Sequence, residues 1–95
     1  MKHFAYYALF DPDPSAHGVY CITFPDLPGA ISEGENLSEA RRMAKECLEL
    51  HLSGMIIDGD EIPAPSSREE LEKIVAVDPD VDEGWRLELI EIDLD

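Results

Sequence analysis

Residues 24–36 read FPDLPGAISEGEN and sit directly before a long amphipathic run. Two prolines, two glycines and several cap-forming side chains fall within thirteen positions. Pro25 has no N–H to give a ladder, so it ends the apolar stretch 18–24, GVYCITF, which reads as a strand. Pro28-Gly29 turns the chain, and residues 30–34, AISEG, make a short, more polar strand suited to a sheet edge. Asn36 is a good N-cap, with Glu39 in the capping-box position three residues later. Every unusual residue in the stretch therefore has a backbone task, and Asp26, Glu33 and Glu35 are left facing solvent.

Working outward, residues 3–10, HFAYYALF, form the first strand. Phe4, Tyr6, Ala8 and Phe10 share one face, and Ala5, Tyr7 and Leu9 share the other. With both faces apolar, the strand reads as central. The loop DPDPSAH is short enough for an antiparallel hairpin to the second strand.

Downstream, Leu37, Ala40, Ala44, Cys47, Leu48, His51 and Met55 recur at spacings of three and four, which predicts a helix from 37 to about 55. Pro63 and Pro65 stiffen a connector, and Ser67 with Glu70 makes a second capping box for a short helix. After the acidic loop 78–84, residues 85–94 form the last strand. Its apolar alternation changes phase between Leu89 and Ile90, which suggests a bulge or burial of one half on both sides.

The elements run βββα(α)β in one domain, 1–95, of the α+β class. A connection of this length holding the main helix predicts a last strand parallel to the first, by the rule for crossovers. The expected sheet is four-stranded and mixed, in the order 3-2-1-4, with helix on one face. The uncovered face and edges predict a homodimer or higher oligomer through Tyr7, Leu9, Leu89 and Ile90.

Charge narrows the function. Seven Lys and Arg face 22 Asp and Glu, a net charge of −15. Nucleic-acid binding draws on clustered cations, and these seven are scattered, so direct nucleic-acid binding is not expected. The acidity fits either a basic partner or solubility alone. Nothing in the sequence approaches a membrane span or a signal peptide, and two cysteines without a CxxC suit the cytoplasm.

Catalytic and metal patterns are weak. Cys47 and His51 lie four apart on a helical face but belong to the apolar stripe, and no further pair completes a metal set. Asp58-Gly59-Asp60-Glu61 lacks the ligand spacing of a calcium loop. A metal-dependent nuclease would need a carboxylate inside the first strand, and FAYYALF has none. No enzyme activity, cofactor or metal is expected.

The run GVYCITFPDLPGAISEGENLSEARRMAKECLELHL, followed by IPAPSS, resembles the HicB-type antitoxin family. The P-D-L-P-G turn leading into a capped, Ala-containing helix that ends in E-L-H-L carries the likeness, with the P-x-P-S connector and the aromatic at the start of the last strand. The resemblance implies a truncated ribonuclease H-like fold without catalysis. It also implies a partner, a small basic HicA-type toxin that cleaves mRNA. Asp11, Asp13, Asp26, Glu33 and Glu35 are the candidate toxin contacts. Many members of the family continue into a C-terminal DNA-binding domain, and this sequence stops at Asp95, so none is expected here. The alternative is a regulatory or small-ligand domain of the same family that has no toxin.

Overall fold

A computed structural model describes all residues, 1–95. Three strands come first: β1 (Lys2–Pro12), β2 (Tyr20–Thr23) and β3 (Ile31–Gly34). Helix α1 (Leu37–Asp58) follows, then α2 (Arg68–Ala76), and β4 (Arg86–Leu94) closes the chain. The sheet order is β3-β2-β1-β4, as the alternation of the strands predicts.

Local chemistry sets the boundaries. The Asn36 side chain accepts the Glu39 N–H at 2.8 Å, and Glu39 Oε1 accepts the Glu35 N–H, so α1 starts on a capping box shifted by one residue. Gly54 does not stop the helix. It continues to Gly59, whose left-handed backbone (φ 74°) returns N–H bonds to Ile56 and Met55 with the following residue. Ser67 and Glu70 form the capping box of α2.

One face of the sheet packs on α1. Tyr6, Ala8, Phe10 and Ile22 from the strands meet Ala40, Ala44, Leu48 and Leu52 from the helix, with Phe24, Leu27 and Ala30 of the turn completing the core. All four helix positions are fully buried. The stripe is therefore centred on Leu48 and Leu52, while Cys47 and His51 lie at its margin.

The other face is not left open. Leu9 and Leu87 are directly paired across β1 and β4, and they bury Leu71 and Val75 of α2. Side chains alternate across a strand, so this cluster lies opposite the α1 core. The expectation of helix on one face is corrected: α1 and α2 sandwich the central strands.

The direction of β4 is corrected too. It runs antiparallel to β1, from Phe10↔Arg86 to Lys2↔Leu94, and the whole sheet is antiparallel. The crossover rule governs connections that are already parallel, and one helix between strands would give that geometry. Here the chain traverses the sheet twice. α1, 22 residues or about 33 Å long, carries it down the length of β1, and the connector with α2 brings it back. β4 then starts beside the end of β1, where Asp82 donates its N–H to Asp11 at 2.9 Å.

The two helices also explain the phase change in β4. Its register with β1 is unbroken over nine pairs, so there is no bulge. Leu87 points to α2, whereas Ile90, Ile92 and Leu94 point to the α1 side. Each half of the strand is apolar towards the helix that covers it.

Candidate protein-docking surface

The five acidic candidates divide into two groups. Three hold the scaffold. Asp13 accepts the N–H and hydroxyl of Ser15 at 2.9 and 2.8 Å, which closes the turn after β1 and lowers its pKa. Asp26 accepts the Ser66 N–H at 2.7 Å and its hydroxyl at 2.6 Å, tying the P-D-L-P-G turn to the connector. Tyr6 donates its hydroxyl to the Pro63 carbonyl and makes a second tie to the same connector. Asp11 takes the Asp82 N–H, and its carboxyl is pushed up by partial burial, with Asp82 and Asp78 adding to the shift.

Glu33 and Glu35 differ. Both are exposed, one on the outer strand β3 and one between β3 and α1, and their carboxylates hold no ion pair. Ile22, which faces α1, pairs with Ser32, so Ile31 and Glu33 turn their side chains to the other face of the sheet. On the α1 side of the same edge lies a groove of about 370 Å³ between β3 and α1. Met43, Cys47, Leu50 and His51 line its helix side, and Gly29 to Ser32 line its strand side. Ile31 is 68% exposed and Leu50 76%, an unusual degree for large apolar side chains on neighbouring elements.

Sequence reasoning missed this groove. A signal existed: Met43, Cys47 and Leu50 form a second apolar line at spacings of four and three, beside the buried stripe.

The four candidate oligomer residues also separate. Leu9 and Ile90 are buried within the chain itself. Tyr7 is half-buried under the guanidinium of Arg68, 5.7 Å from its ring centroid. Leu89 alone presents a wide apolar surface, 46% exposed.

Cationic surface is largely neutralised. Five of the seven cations pair with carboxylates: Arg41 and Arg86 with Glu88, Arg42 with Glu39 and Glu46, Arg68 with Glu72, and Lys73 with Glu69. Glu88, held by the Arg41 hydrogen bond and then by Arg86, has its carboxyl below the usual range. Both thiols are pushed up, Cys47 by burial and Cys21 by burial with acidic neighbours. They stay protonated at neutral pH, a poor state for a nucleophile or metal ligand. No helix is long and apolar enough to cross a membrane.

A four-stranded antiparallel sheet thus lies between two helices, with an apolar groove on the α1 side of its β3 edge. Residues 6–95 match the family described as HicB_like antitoxin of bacterial toxin-antitoxin system, and the chain belongs to that family. Antitoxin HicB of Escherichia coli (strain K12) is 36% identical over 53 residues, 56% of this chain and 38% of that protein. Among solved structures, the N-terminal domain of Burkholderia pseudomallei antitoxin HicB superposes with a TM-score of 0.72 at 27% identity, covering 96% of this chain and all of that one. A toxin-antitoxin complex from Streptococcus pneumoniae gives 0.76 at 25% identity, over 97% of this chain and 70% of that chain. The chain spans well under half the length of the E. coli relative.

Proposed function

We propose that this chain neutralises a small, basic HicA-type RNase by direct protein contact in the cytoplasm and catalyses no reaction itself. The observation that carries this reading is a HicB-family fold with a net charge of −15 and two unpaired carboxylates, Glu33 and Glu35, at the open β3 edge. An RNase that binds RNA presents a cationic face. An acidic surface attracts that face from a distance, and apolar contact at the groove gives the complex its lifetime. A structural relative solved as a toxin-antitoxin complex from Streptococcus pneumoniae supports a toxin as the partner.

The test is a tagged pull-down from the native source at low and moderate salt, followed by an RNase assay on the purified partner. A small basic RNase silenced by stoichiometric addition of this chain is the expected result. Glu33→Lys with Glu35→Lys should weaken the complex and flatten its salt dependence. A preparation free of any such partner at both salts would favour the regulatory domain without a toxin.

A further inference from the structure

The outer edge of β3 is built to accept a strand. Phe24 donates its N–H to the Ala30 carbonyl at 3.3 Å, which makes these two a hydrogen-bonded pair of the β2–β3 ladder. Such pairs alternate in antiparallel sheets. Ile22 and Ser32 are then also a bonded pair, and Ile31 and Glu33 turn their N–H and C=O groups away from β2. β3 is the last strand on that side. Four backbone groups thus face outward beside the groove that holds Met43 and Leu50.

Charge identifies the occupant. Glu33, Glu35 and Glu46 surround the edge, and Arg42 is engaged by Glu39 and Glu46. A second copy of this chain would bring its own Glu33, Glu35 and Glu46 to the same edge, and like charges brought together at a strand pair are destabilising. A cationic segment meets no such penalty.

We propose that the β3 edge and the α1 groove together form a strand-addition site. Its occupant is an extended, cationic segment of a protein partner. Backbone bonds form to Ile31 and Glu33, and an apolar side chain on the α1 side of the added strand seats against Met43 and Leu50. The partner's identity as a toxin rests on the function proposed above; the site itself rests on edge geometry and charge.

The experiment uses the full chain, labelled with ¹⁵N, and a synthetic peptide of alternating valine and lysine as the probe. The Ile31 and Glu33 amides should exchange freely in the free chain and slow by about tenfold or more with saturating peptide. Shift changes should centre on residues 31–34 and 43–51. The matching valine–glutamate peptide should not bind. Ile31→Pro removes an outward N–H while sparing the β2 ladder, and should weaken binding by about tenfold. Leu50→Lys, on an exposed helix position, should weaken it without touching the backbone. Absence of binding, or shifts centred on Asp78–Glu83 and unchanged by Ile31→Pro, would overturn the site. An RNase inhibited equally well by Ile31→Pro and Leu50→Lys would leave the antitoxin reading standing and remove this one. Protection of Ile31 and Glu33 by the lysine peptide, with no RNase inhibited, would do the reverse.

Discussion

Replacing glycine with alanine should have opposite effects at two positions in this chain. Gly34 ends β3 where the strand lies against the first turn of α1. A Cβ there would sit 2.4 Å from the Ala40 nitrogen, 2.5 Å from its Cα and 2.9 Å from its Cβ. Two of those atoms are backbone, and Ala40 is fully buried, so neither side can yield by a rotamer change. The helix start must move away, which strains the Asn36 cap. Overpacking of this kind costs about 1–3 kcal/mol, and a damaged cap adds about 1 kcal/mol. Gly34→Ala should therefore destabilise by about 2–4 kcal/mol. For a domain of this size that lowers Tm by roughly 10–25 °C. Gly54 offers the contrast. It lies inside α1, and nothing stands within 4 Å of its would-be Cβ. Alanine there restricts the unfolded chain and suits the helix, so Gly54→Ala should stabilise by about 0.5–1 kcal/mol. Calorimetry or thermal circular dichroism on both variants gives the answer. A Gly34→Ala variant melting within a few degrees of wild type would refute the close strand–helix approach. A destabilised Gly54→Ala would refute the open helix surface.

Other outcomes follow from the same contacts. Asp26→Ala strips the Ser66 N–H of its carboxylate partner and should cost about 1–3 kcal/mol in urea titration, while leaving partner affinity unchanged. Leu71→Ala empties the small α2 cluster, at about 2–5 kcal/mol. Because α2 is nine residues long and is held by two buried side chains, hydrogen exchange should accelerate at 68–76 before it does at 37–58. Glu88 has a folded pKa below its unfolded value of about 4.3, so its contribution is present above that pH and is lost as pH falls through the folded value. Acid unfolding of Glu88→Gln should consequently be shallower than wild type below about pH 5, with the two curves parallel at neutrality.

The sequence was most informative where local chemistry decides the backbone. Asn36, Ser67, Pro25 and Pro28-Gly29 act locally, so the start of both helices and the ends of β2 and β3 could be read from them. Sheet order followed from β1 being apolar on both faces. The direction of β4 did not, because it depends on how often the chain traverses the sheet, and residues 59–67 carry no periodicity that reports their path. The slip between Leu89 and Ile90 held the clue: a strand covered by different helices at its two ends needs no bulge. Among the acidic candidates, sequence could not separate Asp26, whose partner Ser66 is forty residues away, from Glu33, which has none. The groove went unread because Met43 and Leu50 flank a stronger stripe.

The longest strand pairing in the molecule joins its most distant segments, with Lys2 opposite Leu94. During synthesis β1 must therefore wait for β4. The emerging chain can assemble β1, β2, β3 and α1, yet one side of β1 stays unsatisfied and Leu9 stays uncovered until α2 and β4 leave the ribosome. An incomplete chain thus exposes the β1 edge and Leu9, which β4 and α2 cover once they have folded. The same adjacency brings the two ends of the described chain together. A permuted version, joined across those ends and opened in the acidic loop 78–84, should keep the fold while β4 precedes β1 in the order of synthesis.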